Sequence, residues 1–339
     1  MQGELGYYLS LSRTSPNVSA LPPAAASLVR SAYAPRASAL VVGDASGDRY
    51  ASSPSVDLDR PFFIASQTKL ISALAIYGVM ATNSSKLHLD SRPSEFFPEW
   101  PTAGFAADIR LKHLLAFTSG FGPETSWDTC GYKGNSMGIA DCVREISSYE
   151  VRHAPGTSFQ YVRWHLIVAA AMALRASGRD LSKAGWVDAV RVHVYQRSGI
   201  SDTPEFPDSD CVGLGPLQDC WLQQATMPHF GGGLRTTARQ FGQILHALLG
   251  GQLLPPPLLA NFTAEHTTAV THSYKQRAVP HWAQGHWLRT GTDGNPSARV
   301  AESMWGSFAW YDLSAGFYGV FVHGCSFAGT LQCILSSAI

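Results

Sequence analysis

A serine and a lysine separated by two residues are the first candidates for chemistry in this sequence. They stand in Ser66-Gln67-Thr68-Lys69, inside a long apolar pattern that covers residues 64–80. Residues three apart on a helix have neighbouring side chains, so the lysine amine can reach the serine hydroxyl. An amine in an apolar surround binds its proton less tightly and can then act as a base. The segment therefore predicts a serine nucleophile with a lysine base, beside a helix N-terminus that favours negative charge.

The Ser-x-x-Lys spacing by itself leaves a second interpretation open. A serine near a helix start can cap the helix, and a lysine one turn further on can face solvent. The placement of the tetrapeptide favours the chemical interpretation, because residues 64–80 are apolar on almost every face. Such a pattern is typical of a helix that is buried on most sides. We therefore expect this helix to lie at the centre of the fold.

Strand patterns stand near both ends of the chain. Residues 37–42 alternate loosely and stop at the turn sequence of residues 43–48, which predicts a β-hairpin. Towards the other end, strand patterns occupy residues 285–289, 307–311 and 316–322. The patterns between them are mostly helical, at residues 111–117, 161–176, 186–194 and 238–249. This order predicts an α+β fold in which both chain ends share one antiparallel sheet flanked by helices, with a mostly helical insertion.

The same layout predicts three parts along the chain. Residues 1–35, which are rich in Ser, Pro and Ala, predict an irregular N-terminal arm. Residues 36–84 and 280–339 form the predicted α/β sheet domain. Residues 85–279 form the predicted helical domain.

The composition excludes several classes of protein. Apolar residues make up 45% of the 339 residues and charged residues 15%, while 25 basic residues balance 25 acidic ones. A chain of this kind can bury a sizeable core and has no excess positive charge for nucleic acid. Its longest apolar stretches fall short of the roughly 20 residues that a membrane-spanning helix needs. We therefore expect neither a nucleic-acid partner nor a membrane span.

Cysteines and sequons indicate a secretory compartment. The six cysteines fall as three pairs of near neighbours, Cys130 with Cys142, Cys211 with Cys220, and Cys325 with Cys333. Local disulfides are the simplest pairing, although six buried thiols are an open alternative. Three Asn-x-Ser/Thr sequons begin at Asn17, Asn83 and Asn261. The start Met1-Gln2-Gly3-Glu4 shows no signal-peptide pattern, so secretion is expected from the cysteines and sequons only.

Several ordered motifs resemble one family of enzymes. The nucleophile segment, together with four later segments, is similar to the serine β-lactamase-like, penicillin-binding-protein-like family, which includes class C β-lactamases, DD-peptidases and β-lactamase-fold carboxylesterases. The later segments are Lys86-Leu87-His88-Leu89-Asp90, residues 111–120, residues 154–161 and residues 231–238. The resemblance covers most of the chain from about residue 36 onward. It implies the β-lactamase/transpeptidase-like fold and acyl transfer through Ser66.

The resemblance also assigns a second motif, Tyr-x-Asn after a Pro-Gly-Thr turn. Here Tyr161 holds the tyrosine position, and its phenol is expected to exchange the Ser66 proton together with Lys69. The asparagine position is Arg163 instead. That asparagine contacts the substrate amide in lactam-processing members, so a bulky cation argues against β-lactam turnover. Arg163 either binds a substrate carboxylate or faces solvent.

The third motif of the family, Lys-Thr-Gly or a His or Trp variant on an inner-edge strand, departs further from the pattern. Counting back from residues 306–312 places Ala301-Glu302-Ser303 at the motif, without its basic or aromatic residue. An alternative frame uses Trp305-Gly306-Ser307 and needs a shortened turn afterwards. In the first frame the second oxyanion donor is a backbone N–H near Met304. We therefore place the substrate-binding residues of this edge at Ser303, Met304 and Trp305.

Other candidate motifs give weaker evidence for a function. Residues 231–233 are three glycines without the strand-to-helix context or following Lys-Ser/Thr of a phosphate loop, and are interpreted as a flexible loop bordering the pocket. The twelve histidines form no His-Glu-x-x-His pattern, and no Gly-x-Ser-x-Gly pentapeptide supports a Ser-His-Asp triad. The nine tryptophans are interpreted as core and pocket wall. No metal or cofactor is implied.

The sequence as a whole predicts a serine hydrolase that forms an acyl-enzyme on Ser66. A carboxylesterase acting on a small-molecule ester or amide fits best, because the second and third motifs are altered. An acyltransferase with the same nucleophile is an alternative. A non-catalytic binding or scaffold protein is another, motivated by the degenerate third motif. The substrate and the oligomeric state are left open.

Overall fold

A computed structural model gives the architecture. It describes residues 38–52, 58–122, 130, 137–207, 211–212, 219–220, 227–273, 281–290, 296–303 and 307–323. The strands are β1 (Ser38–Asp44), β2 (Gly47–Ser52), β3 (Phe62–Phe63), β4 (Ser158–Phe159), β5 (Cys211–Val212), β6 (Asp219–Cys220), β7 (Arg235–Thr236), β8 (His272–Ser273), β9 (Trp287–Thr290), β10 (Pro296–Glu302), β11 (Phe308–Asp312) and β12 (Phe317–His323). The α-helices are α1 (Thr68–Thr82), α2 (Gly104–Ala107), α3 (Leu111–Leu115), α4 (Ile139–Ser147), α5 (Trp164–Ala176), α6 (Lys183–Val190), α7 (Ala238–Leu249) and α8 (Pro256–Thr263).

One antiparallel sheet joins the two ends of the chain, as predicted. Its strand order is β2-β1-β12-β11-β10-β9. The first and last strands lie side by side, with Ser38 opposite His323 and Asp44 opposite Phe317. Helix α7 packs across β1 and β12. The predicted hairpin is confirmed as β1 and β2, and the three predicted C-terminal strands as β9, β11 and β12.

Helix α1 lies at the centre of the molecule, also as predicted. Every residue from Thr68 to Met80 is buried, because α1 packs against α5, α6 and the π-helical turn Arg191–Tyr195. The α-helix begins later than the apolar pattern suggests. A separate 3₁₀ turn, Ala65–Gln67, precedes it and carries the serine of the tetrapeptide.

Helices dominate the described residues between β3 and β9. The predicted helices are confirmed as α3, α5, α6 with the π turn, and α7. Helix α5 begins at Trp164, so Tyr161 precedes it in an irregular turn. Helices α2, α4 and α8, the two-residue strands β3–β8 and strand β10 have no counterpart among the predicted elements. The domain boundaries themselves stay a prediction.

The structure describes the three predicted cysteine pairs in different detail. Cys130 and Cys142 form a disulfide, with a Cα–Cα distance of 5.3 Å, which confirms the first local pair. Cys211 and Cys220 are opposite each other in the register of β5 and β6, and their disulfide stays a prediction. Cys325 and Cys333 lie outside the described residues. Within the described ranges, no helix has the length and apolar character to cross a bilayer.

Candidate active site

The turn that carries Ser66 differs from an ordinary helix start. Ala65 has a φ of 45°, in the left-handed region that an alanine rarely adopts. Ala65 and Gln67 are buried, whereas Ser66 between them is partly exposed. A strained backbone of this kind persists only where its surroundings impose it, and it is common at active sites. The turn therefore presents one hydroxyl to the surface from an otherwise buried segment.

Lys69 lies directly against that hydroxyl. Its Nζ is 3.1 Å from Ser66 Oγ and donates to the Gly231 carbonyl at 2.7 Å. The side chain is only 6% exposed, and no carboxylate of the described residues pairs with it. A neutral amine could donate one N–H to Gly231 and still direct its lone pair at the serine proton. The geometry thus allows Lys69 to act as a base.

Tyr161 meets the same lysine from another part of the chain. The Lys69 Nζ lies 4.6 Å from the centre of the Tyr161 ring. The ring is parallel to that of Trp287, at 5.6 Å and 10°, and meets Trp282 and Phe117 edge-on. Contacts on three sides restrict the position of the phenol. The structure therefore brings Ser66, Lys69 and Tyr161 together, and their catalytic roles stay a prediction.

The three-glycine segment is fixed against helix α1 by hydrogen bonds. Besides the bond from Lys69 to Gly231, the Ser72 hydroxyl donates to the Phe230 carbonyl at 2.6 Å. A β-carbon at Gly231 would lie 3.4 Å from Lys69 Nζ, and one at Gly232 would lie 2.6 Å from the His229 ring. The segment borders the serine as expected, but close packing rather than flexibility explains these two glycines.

Arg163 does not face solvent, so that prediction is wrong. The residue is 7% exposed, and its Nε donates to the Cys130 carbonyl at 3.1 Å. The disulfide between Cys130 and Cys142 fixes this carbonyl next to the start of α5. Arg163 thus attaches the disulfide segment to the helix that begins three residues after Tyr161. Its role in substrate binding stays a prediction.

The predicted third motif lies at the end of strand β10, which contains Ala301 and Glu302, and Ser303 directly follows the strand. This strand is next to the edge strand β9 and lies alongside the 3₁₀ turn of Ser66. The Ser303 N–H donates to the Ser307 carbonyl at 2.8 Å, and Glu302 forms an ion pair with Arg289 of β9. Met304 and Trp305 lie outside the described residues. Strand β10 therefore lies beside the serine turn, where the family has its third motif. The contacts of Ser303, Met304 and Trp305 with a substrate stay a prediction.

Sequence reasoning missed one residue beside the serine, His229. Burial, together with the positive charges of Lys69 and Arg163, lowers the pKa of His229 to about 3. The imidazole is therefore neutral near pH 7. A lone histidine outside any motif gave no signal in the sequence. No three His, Cys, Asp or Glu side chains are grouped as metal ligands in the portion of the chain that the structure describes.

The family follows from comparison with known proteins. Residues 26–324 match the Beta-lactamase family, so the chain belongs to this family of β-lactamase-fold hydrolases. Three solved structures illustrate the fold. They are a proposed β-lactamase from Bacteroides dorei DSM 17855 (TM-score 0.70, 19% identity, 94% of each chain covered), EstCE1, a hydrolase with promiscuous acyltransferase activity (0.67, 17%, 87% of this chain and 90% of that one), and a mutant simvastatin synthase from Aspergillus terreus (0.57, 16%, 84% of each).

These comparisons confirm the predicted family and the α+β fold. At identities below 20%, the solved structures show the fold and do not define an activity for this chain. None of the curated proteins matches the chain significantly in sequence.

Proposed function

We propose that this chain is a carboxylesterase-type serine hydrolase that forms an acyl-enzyme on Ser66. The observation that carries the proposal is the 3.1 Å separation between Lys69 Nζ and Ser66 Oγ. This distance is short enough for direct proton transfer between nucleophile and base. Membership of a hydrolase family supports the same reaction class.

The proposed reaction has two halves. Ser66 Oγ attacks the ester carbonyl while its proton passes to the neutral amine of Lys69 or to a Tyr161 phenolate beside it. The tetrahedral intermediate collapses, the leaving group takes up that proton as an alcohol, and the acyl group stays on Ser66. Water then attacks the acyl-enzyme, gives its proton to the same pair, and releases the acid and the serine hydroxyl.

An oxyanion site is also needed for both halves. The backbone N–H of Ser66 is one candidate donor, and the second is the predicted donor near Met304. One such donor can lower the barrier by about 3–4 kcal/mol. Because a backbone donor does not depend on the side chain, the altered third motif affects substrate choice more than the chemistry itself.

An ester is a better substrate candidate than a β-lactam. Arg163 stands where lactam-processing relatives have an asparagine, and it is buried against the Cys130 carbonyl. The wall beside Tyr161 is aromatic, with Trp287 partly exposed and Trp282 buried behind it. Such a wall suits an apolar part of a small ester. The acyltransferase alternative is supported by the fold shared with EstCE1, which has promiscuous acyltransferase activity.

A fluorophosphonate probe tests the proposal. The wild type should gain one adduct by intact mass, Ser66→Ala should gain none, and the exposed Ser84→Ala should label as wild type. Turnover of short p-nitrophenyl esters, of nitrocefin and of a D-Ala-D-Ala peptide is then measured separately to assign the substrate class, and transfer of the acyl group to an added alcohol reports acyltransferase activity. Turnover of the esters, without turnover of nitrocefin or the peptide, supports the esterase. If the probe does not label the protein and none of the three substrates is turned over, the result indicates the scaffold instead.

Tyr161→Phe separates the phenol from the aromatic packing. The variant keeps the ring against Trp287, so we expect its thermal midpoint to match wild type. Loss of a proton-transferring group should lower the labelling rate by about 10²–10⁴-fold. Unchanged labelling would remove Tyr161 from the mechanism and leave Lys69 as the sole base.

A further inference from the structure

His229 is held in a fixed position beside the candidate nucleophile. Its carbonyl accepts from the N–H groups of Gly232 at 3.1 Å and Gly233 at 2.8 Å, which closes a tight turn. The next two carbonyls of this turn are bonded to side chains of helix α1, as described above. The backbone of His229 is therefore fixed relative to the helix that carries Lys69.

The His229 ring fills the space between this turn and the serine segment. A β-carbon at Gly232 would lie 2.6 Å from both Nδ1 and Cε1 of the ring, and 3.9 Å from the carbonyl carbon of Ala65. The ring thus lies alongside the backbone that leads directly into Ser66. Its place depends on Gly232, because any side chain there would displace it.

The ring carries hydrogen-bonding capacity that the protein does not use. Its Nδ1 is buried and has no hydrogen-bond partner among the described residues. This nitrogen lies against Gly232, where a ligand cannot reach it. The residue itself is partly exposed, and its other ring nitrogen, Nε2, is neither buried nor bonded to a described residue, so Nε2 is the atom open to a ligand. A neutral imidazole offers one donor and one acceptor.

The position of the ring indicates which part of a substrate it meets. In the proposed reaction the leaving group must lie against the proton-transferring pair of Lys69 and Tyr161. His229 makes no ring contact with Tyr161 in the described part of the chain and instead lies near the backbone that enters Ser66, the residue to which the acyl group becomes bonded. In this arrangement the imidazole meets the acyl part of the substrate rather than the leaving group.

We propose that His229 is a specificity-determining residue that hydrogen-bonds a neutral polar group in the acyl part of the substrate, close to the scissile carbonyl. The preferred substrates are then esters whose acyl group carries an amide or a hydroxyl, rather than plain alkyl esters. This inference rests on the proposed acyl-enzyme at Ser66 and adds the class of acyl group.

Two esters of equal chain length test the proposal. In p-nitrophenyl N-acetylglycinate an amide replaces two methylenes of p-nitrophenyl pentanoate, and the leaving group is the same. His229→Ala should lower kcat/KM for the acetylglycinate about tenfold, the effect of one lost hydrogen bond, and for the pentanoate less than threefold. Comparing each ester with itself in wild type and variant removes their different intrinsic reactivities.

Further variants separate a specificity role from a structural one. His229→Gln keeps a donor and an acceptor near the Nε2 position and should recover most of the preference for the acetylglycinate. His229→Phe, which keeps an aromatic ring without a nitrogen, is the second loss variant if His229→Ala does not fold. The exposed His88→Ala is the matched control and should behave as wild type.

The fluorophosphonate labelling rate at Ser66 distinguishes the two proposals. Normal labelling with equal losses on both esters, or with no loss on either, would overturn the role of His229 and leave the acyl-enzyme standing. A wild type that neither labels nor turns over any ester would overturn the proposed function, and the inference with it.

Discussion

Lys69→Met removes the candidate base and keeps an unbranched side chain in its place. The change deletes two hydrogen bonds, to Ser66 Oγ at 3.1 Å and to the Gly231 carbonyl at 2.7 Å. A buried carbonyl left without a donor costs about 1–3 kcal/mol. Removal of a nearly buried amine offsets part of that cost, since its desolvation penalty disappears. We therefore expect a stability loss of about 1–2 kcal/mol.

The expected loss of reactivity is larger and has a different origin. A positioned base contributes about 10²–10⁴-fold, or roughly 3–5 kcal/mol in the barrier. A protein with an unfolding free energy of about 5–15 kcal/mol stays folded after losing 1–2 kcal/mol, so unfolding cannot mimic this effect. Fluorophosphonate labelling kinetics measure the reactivity, and denaturant unfolding measures the stability.

Lys86→Met is the matched control for Lys69→Met. Lys86 is exposed on the turn after helix α1, so its loss should change neither quantity. If Lys69→Met labelled within threefold of wild type, Lys69 would not be the base, and the short contact with Ser66 would be structural only.

Three further predictions concern packing, pH and glycosylation. Gly285 has a φ of 79°, and its β-carbon would lie 2.6 Å from the Lys69 carbonyl oxygen. Gly285→Ala should therefore cost about 2 kcal/mol or more in denaturant unfolding, and a loss below 0.5 kcal/mol would contradict the packing. Burial lowers to about 3 the pKa values of three histidines, His165, His229 and His286. Because the unfolded state then binds more protons below pH 6.5, stability should fall as the pH falls from 6.5 to 4, by about 1.4 kcal/mol per pH unit for each histidine. Denaturant unfolding at several pH values checks this, and a flat profile would refute it. If the chain is secreted, as we propose from its cysteines and sequons, glycopeptide mass spectrometry should find a glycan at Asn83 or Asn261, because both residues are partly exposed. Finding both sites unmodified in protein made by a secreting eukaryotic host would contradict the proposed secretion.

The elements that the sequence predicts well are those with a strong local pattern. Helix α1 is apolar on every face, and β12 is a run of apolar and aromatic residues, so both were evident. Strand β10, with the sequence PSARVAE, lacks regular alternation and was not predicted as a strand. Its conformation depends on pairing with β9 and β11, which no local pattern reveals.

The candidate site was predictable only in part, for a similar reason. Ser66 and Lys69 are three residues apart, so helical geometry alone suggests their contact. The acceptor for Lys69 is Gly231, which is 162 residues away in the chain, and its place comes from the fold. For Arg163 the sequence left open substrate binding or exposure to solvent, because its acceptor, the Cys130 carbonyl, is 33 residues away in the chain and no local pattern indicates the contact. The position of His229 likewise depends on contacts between distant parts of the chain.

Trapping of the acyl-enzyme shows directly which residue an ester substrate acylates. The protein is mixed with an excess of p-nitrophenyl pentanoate, quenched in acid within milliseconds, and digested for peptide mass mapping. We predict a mass increase of one pentanoyl group on the peptide that contains Ser66, and its absence in Ser66→Ala. Turnover of the ester with the acyl group on another residue, or turnover that is unchanged in Ser66→Ala, would show that Ser66 is not the nucleophile.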